Sequence, residues 1–208
     1  MSQIGRSYGA SNVDEMKAIY DDWATSYDKE LAEAQHDYVA PAVATSHVLK
    51  SLNVKRLGDH IEILDAGCGT GLVGVELAKV GAKHIDGVDL SPGMLKVAQK
   101  LRVYRALEAV DLSQPLARAN ASYDVVVCVG TMTEGHVGPA AIDEFVRVLK
   151  KDGYLVATIL FSIWENGGYE RRVKELVTAG KVAFVSANLE DYRRGAGVQA
   201  RMLVLQAL

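Results

Sequence analysis

Short apolar runs and helical periods alternate through the middle of the chain. Runs rich in Val, Ile and Leu are typical of buried strands, and they occur at 61–66, 84–89, 106–110, 123–129 and 153–160. Between these runs the apolar residues recur every three or four positions, which predicts helices at 70–80, 92–103 and 138–149. This alternation favours an α/β fold with a doubly wound, mostly parallel sheet and helices on both faces.

Two further helices are predicted ahead of the first strand. An aromatic face at helical spacing runs through 13–35, and its members are Met16, Ile19, Tyr20, Trp23 and Tyr27. A second helix is predicted over 37–52, with Pro41 in its first turn, where proline is tolerated. We expect residues 13–53 to form a helical cap over the open end of the sheet. Residues 1–12 are rich in Ser, Gly and Asn and predict a flexible leader.

The C-terminal part adds one helix and two strands. A helical period covers 165–179 and stops before Gly180, and strands are predicted at 181–187 and 199–206. The glycine-containing turn at 193–197 indicates an antiparallel hairpin between these strands. The pattern therefore predicts a seven-stranded sheet over 61–208, and residues 1–208 are expected to form a single domain.

Composition narrows the class of partner. The chain has 208 residues, 49% hydrophobic and 24% charged, which is ordinary for one globular domain. A net charge of -3 offers no basic field for phosphate backbones, so nucleic acid is disfavoured and a small-molecule partner is expected. Cys68 and Cys128 form no C-x-x-C pair, and no apolar run suggests a signal peptide or a membrane span. We expect a cytoplasmic protein without a membrane association, with nuclear entry left open.

A glycine-rich turn follows the first strand. Asp65 ends that strand, and Gly67, Gly69 and Gly71 follow at every second position, so that a ligand can approach the main chain closely. The helix that follows turns its positive end toward this turn. The same stretch contains Gly69-x-Gly71-x-x-Gly74, which formally matches a dinucleotide fingerprint and keeps a nicotinamide cofactor as an alternative. However, the Asp65 carboxylate would repel a pyrophosphate and suits an ammonium group, as found in S-adenosylmethionine.

Aspartates also end the second and third strands. In a doubly wound sheet, ligands bind beyond the carboxyl ends of the strands. Asp89 is placed to accept hydrogen bonds from two ribose hydroxyls, and Asp111 is placed to accept one from the adenine amine. Leu90, Met94 and Leu112 are expected to form apolar walls for the ring.

Several of these stretches resemble a known family. The run Asp65-Ala-Gly-Cys-Gly-Thr-Gly71 resembles motif I of class I S-adenosylmethionine-dependent methyltransferases. Together with 20–28, 87–95 and 130–137, it is similar to the Williams-Beuren syndrome critical-region methyltransferase-like proteins. The resemblance implies a Rossmann-like methyltransferase fold with S-adenosylmethionine as cofactor. It also implies that Tyr27 closes over the cofactor, although a core position for this ring is an open alternative. The predicted cofactor-binding residues are Tyr27, Asp65, Ala66, Gly67, Cys68, Gly69, Gly71, Asp89, Leu90, Met94, Asp111, Leu112, Val129 and Gly130.

The loop after the fourth strand carries the candidates for catalysis. His136 titrates near neutral pH, and Glu134 is a second group able to take a proton or orient a substrate. Methyl transfer asks little of side chains, because the sulfonium already makes the methyl group electrophilic and the protein mainly aligns the reactants and excludes water. No metal is expected, because the histidines lack metal-ligand spacing.

The acceptor pocket is expected between the cap and the loops after the fourth and fifth strands. Phe161, Trp164 and Tyr169 are its predicted aromatic walls and suggest an organic acceptor with apolar surface. The sequence leaves open whether O, N, S or C is methylated. Two other functions stay open: a nicotinamide-dependent oxidoreductase and an S-adenosylmethionine-binding module without turnover.

Overall fold

The computed structural model describes residues 3–10, 12–33 and 35–208. The helices are α1 Gln3–Tyr8, α2 Val13–Trp23, α3 Tyr27–Ala32, α4 Ala40–Ser51, α5 Leu72–Lys79, α6 Pro92–Lys100, α7 Ala141–Val148 and α8 Tyr169–Thr178. The strands are β1 Glu62–Ala66, β2 His84–Asp89, β3 Ala106–Ala109, β4 Tyr123–Met132, β5 Leu149–Leu160, β6 Val182–Arg193 and β7 Val198–Ala207. Short 3-10 turns occupy Phe161–Ile163 and Arg194–Ala196.

The strands form one seven-stranded sheet in the order β3-β2-β1-β4-β5-β7-β6. All neighbours are parallel except β7, which runs antiparallel to both β5 and β6. The predicted doubly wound sheet with a C-terminal hairpin is therefore confirmed. The strand order reverses beside β1, which lies between β2 and β4, so the topological switch point lies at the carboxyl ends of β1 and β4.

Alternate residues of the central strands bury against different layers of helices. In β1, Ile63 packs in the core under α4 and α5, whereas Leu64 packs in the core under α7 and α8. Both side chains are fully buried. Because both faces of the central strands are covered, these strands read as continuous apolar runs, which is why their positions were predictable from the sequence.

The cap differs from the prediction in one respect. The helix expected over 13–35 is broken after Trp23 into α2 and α3. Glu30 stabilises the break, because its carboxylate accepts hydrogen bonds from the indole of Trp23 at 2.9 Å and from the hydroxyl of Ser26 at 2.6 Å. The leader contains α1, which the sequence pattern did not predict, and its flexibility stays a prediction. Residues 1, 2 and 11 of the leader lie outside the described residues.

Three element boundaries in the C-terminal part also differ from the predicted ones. Strand β5 begins at Leu149 because the residues before 153 form a bulge in which Asp152 has φ 64°. Helix α8 begins only at Tyr169, after Gly168 in a left-handed conformation with φ 79°. Strand β6 extends past 187 to Arg193. Over 3–10, 12–33 and 35–208, no helix has the length and apolar character that a membrane crossing requires.

Candidate active site

A cavity of about 230 Å³ lies at the carboxyl ends of the first four strands, with α2 above it. Most of the predicted site residues meet there. Those that line it are Tyr27, Gly67, Gly69, Asp89, Leu90, Met94, Asp111, Leu112, Val129, Gly130 and His136. The roles assigned to them stay predictions. Residues that sequence reasoning missed also line the cavity, and among these are Asn12, Val13, Met16, Tyr20, Ser113, Thr131 and Val137.

Asp65 lies behind the glycine turn and does not line the cavity. Its side chain is fully buried, and its Oδ2 accepts a hydrogen bond from the hydroxyl of Tyr104 at 2.7 Å. Its Oδ1 has no hydrogen-bond partner among the described residues. Burial raises the pKa of this carboxyl to about 7, although the Tyr104 hydroxyl acts in the opposite direction. Ala66, Cys68 and Gly71 lie off the cavity as well.

Tyr104 packs against three of the glycines in this region. A Cβ at Gly74 would lie 2.4 Å from the Tyr104 hydroxyl, and Cβ atoms at Gly71 and Gly87 would lie 3.1 and 3.0 Å from its ring. Gly69 differs, because an added Cβ there would meet nothing within 4 Å. Gly74 thus makes room for Tyr104, while added Cβ atoms at Gly71 and Gly87 would come nearest to Leu101 at 2.6 Å and Leu107 at 2.7 Å. The space over Gly69 is open to a ligand. No signal in the sequence links Tyr104 to these positions.

Four backbone amides of the glycine turn have acceptors within the protein. The amides of Gly67 and Cys68 both donate to the carbonyl of Val88, at 2.8 and 3.0 Å. Gly69 donates to Asp89 Oδ2 at 2.8 Å, and Gly71 donates to the carbonyl of Cys68 at 2.9 Å. A dinucleotide site needs such amides for its pyrophosphate. The arrangement therefore does not favour an anionic group at this turn.

Two aspartates lie where the cofactor prediction needs acceptors. Asp89 takes one hydrogen bond on each oxygen, from the amides of Gly69 and Ser91, and retains lone pairs for further donors. Burial raises the pKa of Asp89 against the effect of these amides. Asp111 accepts from the amide of Ser113 at 2.8 Å. Met94 and Leu112 are buried beside them and supply apolar wall.

Two carboxylates of the cap bind the loops that follow β1 and β2. Asp21 accepts hydrogen bonds from the hydroxyl of Ser91 at 2.6 Å and from the amide of Gly93 at 2.7 Å. Asp28 accepts one from the hydroxyl of Thr70 in the glycine turn. Tyr27 therefore faces the cavity from a segment anchored on both sides, and its ring also packs edge-on against Trp23 at 4.6 Å.

His136 lines the cavity and is hydrogen-bonded at both ring nitrogens. Its Nδ1 lies 2.8 Å from the carbonyl oxygen of Glu134 and 2.9 Å from the hydroxyl of Thr133. Its Nε2 lies 2.9 Å from the hydroxyl of Tyr20 on α2. Burial lowers the pKa of the imidazole, while the hydrogen bond to the Glu134 carbonyl opposes that shift. The ring is thus held in a fixed orientation and favoured in its neutral form.

The other predicted acceptor-side residues lie elsewhere. The Glu134 side chain is exposed and accepts a hydrogen bond from Ser162 at 2.7 Å, so only its backbone carbonyl reaches His136. Trp164 and Tyr169 are buried in the core beside α7, and Phe161 is exposed with the Arg201 guanidinium over its ring. The prediction that these aromatics wall the pocket is wrong, because spacing alone does not distinguish a core aromatic from a pocket aromatic.

No group of three or more His, Cys, Asp or Glu side chains suited to a metal ion occurs within the described ranges. The expectation of a metal-free reaction stays a prediction.

Comparison with known proteins gives consistent matches. A family model described as a methyltransferase domain matches residues 63–153. Human methyltransferase-like protein 27 is 34% identical over 158 residues, which cover 76% of this chain and 62% of that protein. A ubiquinone biosynthesis O-methyltransferase of Xylella fastidiosa strain 9a5c is 29% identical over 170 residues, with the same two coverages of 76% and 62%. The chain thus spans about three fifths of the length of these relatives.

The fold is also shared with solved structures of low sequence similarity. The crystal structure of the cyclase SpnF has a TM-score of 0.69 at 17% identity, over 95% of this chain and 97% of that one. At this identity the likeness concerns the fold alone.

Proposed function

We propose that this chain is a class I S-adenosylmethionine-dependent methyltransferase and that it transfers a methyl group from S-adenosylmethionine to a small-molecule acceptor. The proposal is supported by the methyltransferase-domain match over 63–153 and by the 34% identity to human methyltransferase-like protein 27. The acceptor class is supported by the similarity to an enzyme named for ubiquinone biosynthesis. It is also supported by the net charge of -3, which provides no electrostatic attraction for a polyanion such as nucleic acid.

The cavity fits S-adenosylmethionine on three observations. Gly69 has open space where a Cβ would stand, so a ligand can rest on its backbone. Asp89 retains acceptor capacity at the end of β2, where the ribose hydroxyls would bind. The buried walls Met94 and Leu112 suit a flat apolar ring, and Asp111 would accept from the adenine amine.

The observation that carries the proposal is the use of the turn amides within the protein. Gly67, Cys68 and Gly69 each donate to protein acceptors, so this turn has little to offer a pyrophosphate. Behind it lies Asp65, a buried carboxylate with one unpartnered oxygen among the described residues. Negative charge in this position favours a cofactor that carries an ammonium group over NAD. We therefore rank the oxidoreductase below the methyltransferase.

The chain's own contribution to the reaction is positioning and exclusion of water. When bound, the cofactor supplies a methyl group that its sulfonium already makes electrophilic. Asp89 and Asp111 hold the nucleoside end, and Tyr27 covers the cavity from the anchored cap segment. Val129 and Gly130 form the floor at the end of β4, beside which the acceptor has to bind.

Calorimetry with S-adenosylmethionine, S-adenosylhomocysteine and NAD tests the proposal. We expect binding of the first two and none of NAD. A screen with labelled methyl groups over fractionated metabolites then tests turnover. Binding of NAD without a response to S-adenosylhomocysteine would favour the oxidoreductase. Tight cofactor binding with no labelled product from any fraction would favour a binding module without turnover.

A cytoplasmic setting belongs to the same proposal. Cys68 and Cys128 both lie in the described part of the chain as buried free thiols, which is compatible with a reducing compartment.

A further inference from the structure

We propose that Tyr20 is a catalytic residue whose phenolic oxygen takes the proton of an acceptor hydroxyl and passes its own proton to Nε2 of His136. The inference rests on the proposed function and adds to it the chemical class of the acceptor, a phenol-like hydroxyl.

The tautomer of His136 follows from its hydrogen bonds. The carbonyl oxygen of Glu134 can only accept, so Nδ1, at 2.8 Å, must carry a proton. A neutral imidazole carries one ring proton, which leaves Nε2 as an acceptor. Tyr20 therefore donates its hydroxyl proton to Nε2 across 2.9 Å. The lowered pKa of His136 supports the neutral form of the ring.

The pair is held rigidly across the cavity. Tyr20 comes from α2 in the cap, and His136 comes from the loop after β4, so the two line the cavity from opposite elements. The Tyr20 ring is stacked on Trp23 at 5.9 Å with an interplanar angle of 24° and meets the His136 ring edge-on at 5.7 Å. A group held this way needs little reorganisation to act.

The surroundings of the pair suit an acceptor with an apolar body. Val13, Met16 and Val137 line the same cavity. Among the described residues that line it, the ionisable side chains are Asp89, Asp111, His136, Tyr20 and Tyr27. The two aspartates are assigned to the nucleoside and Tyr27 to covering the cofactor, so Tyr20 and His136 are left to face the acceptor.

The transfer balances through this pair. The acceptor oxygen forms a bond to the methyl carbon as the carbon–sulfur bond breaks, and the sulfur keeps the electron pair. The hydroxyl proton moves to the Tyr20 oxygen, and the Tyr20 proton moves to Nε2 of His136. The resulting imidazolium has an acidic character, because burial lowers its pKa, and it loses its proton to solvent after the transfer.

This relay selects among acceptors. A carboxylate or a thioether has no proton to lose and gains nothing from it. A weak base such as a buried neutral imidazole is matched to a hydroxyl of moderate acidity, as in a phenol, better than to an aliphatic alcohol. The geometry therefore points to O-methylation of an aromatic hydroxyl.

The first test reads the hydrogen bond without any turnover. Nitrogen-15 NMR of the full chain with labelled histidine should show His136 with a protonated Nδ1 and an unprotonated Nε2. Tyr20→Phe should shift the Nε2 signal and leave S-adenosylhomocysteine affinity within twofold of the wild type. Tyr154→Phe, remote from the cavity, is the matched control and should change neither. A protonated Nε2 in the wild type would overturn the relay even if cofactor binding is intact.

The second test uses four benzene-based probes of similar size that carry a phenolic hydroxyl, an amine, a thiol or a carboxylate. We expect methylation of the phenol only. Tyr20→Phe and His136→Gln should lower kcat for the phenol by roughly 10²- to 10⁴-fold with little change in KM. His136→Gln should also remove the acidic limb of the pH–rate profile. Transfer to another probe, to none, or a kcat in Tyr20→Phe within twofold of the wild type would overturn the inference. If the wild type does not bind S-adenosylhomocysteine, the proposed function itself is contradicted.

Discussion

Replacing Asp65 with asparagine is expected to stabilise the fold at pH 8 while it weakens cofactor binding. The Asp65 side chain is fully buried, with one hydrogen bond, of 2.7 Å, from Tyr104. Asparagine keeps an oxygen for that hydroxyl and removes the charge. Burial raises the pKa of Asp65 from 3.8 to about 7, so the folded protein resists its ionisation.

The sign and size of the effect follow from this shift. A group whose pKa is higher in the folded state stabilises the fold fully below its unfolded pKa, and that contribution is lost as the pH rises through the folded pKa. The loss between pH 4 and pH 8 is about 4 kcal/mol for a shift from 3.8 to about 7. Asp65→Asn has no such titration. We therefore expect its free energy of unfolding to exceed that of the wild type by roughly 2–4 kcal/mol at pH 8 and to match it near pH 4.

Asp86→Asn is the matched control on the neighbouring strand. Burial opposes the ionisation of Asp86, but hydrogen bonds from Arg105 and Tyr123 outweigh it and hold the pKa of Asp86 below its usual value. The sign is therefore opposite, because a lowered pKa gives stability above the unfolded pKa that is lost as the pH falls. Urea unfolding at pH 4 and pH 8 measures both variants. Destabilisation of Asp65→Asn at pH 8, like that of Asp86→Asn, would refute the account of Asp65 as an uncompensated buried charge.

Cofactor binding provides the other half of this prediction. The amino group of S-adenosylhomocysteine is expected to bind more tightly when Asp65 is ionised, so wild-type affinity should rise as the pH rises through about 7. Asp65→Asn should bind more weakly at pH 8 and should lose this part of the pH dependence. Calorimetry at pH 6 and pH 8 provides the measurement, and an unchanged pH dependence in the variant would remove Asp65 from the electrostatics of the site.

Three further predictions address the cavity lining. Asp89→Ala should weaken S-adenosylhomocysteine binding by roughly 1–3 kcal/mol, since two ribose hydroxyls lose an acceptor. The surface variant Asp152→Ala is the control and should bind like the wild type. Equal calorimetric affinities of Asp89→Ala and the wild type would place Asp89 outside the site. Tyr27→Ala should weaken binding more than Tyr27→Phe if the ring, and not the hydroxyl, covers the cofactor; the same titration decides. Cofactor should slow amide exchange over 20–27 more than over 178–181, the turn before β6, and equal slowing would contradict a cap that orders on binding. The hairpin at 193–197, expected from the sequence to be distant, does not serve as the reference, because Arg193 lines a small cavity together with Tyr20 and Tyr27.

Local sequence patterns were sufficient for most of the sheet. Strand β2 was predicted at its observed bounds, and β1 and β3 were predicted to within one residue. Buried parallel strands such as β1 and β2 carry their own apolar signal, whereas β3 is an edge strand with three of its four residues exposed. The helix break after Trp23 is not predictable from the apolar pattern, because Trp23 and Tyr27 keep helical spacing across it. The Glu30 carboxylate stabilises the break by binding the Trp23 indole and Ser26, a side-chain effect that a hydrophobic period does not record.

Contacts between segments that are distant in sequence could not be predicted from the sequence. The pairing of Tyr20 with His136 joins residues 116 positions apart, and the docking of Asp21 on Ser91 joins residues 70 positions apart. Each of these residues also has an ordinary local explanation on a helix or in a turn. Only the packing of the cap on the sheet brings them together, and a single sequence offers no pairing information for that step.

The glycine turn shows why a matched string is weak evidence about a cofactor. Gly69-x-Gly71-x-x-Gly74 satisfies the spacing of a dinucleotide fingerprint, whose glycines serve close approach of a pyrophosphate and close packing of helix on strand. In this fold Gly71 is required by its left-handed backbone, with φ 99°, and by Leu101, 2.6 Å from an added Cβ. Gly74 is required by the Tyr104 ring, because a Cβ there would lie 2.4 Å from its hydroxyl. That ring in turn delivers its hydroxyl to Asp65 at 2.7 Å. The same glycine spacing therefore accompanies a buried carboxylate behind the turn. A carboxylate there repels a phosphate instead of binding it.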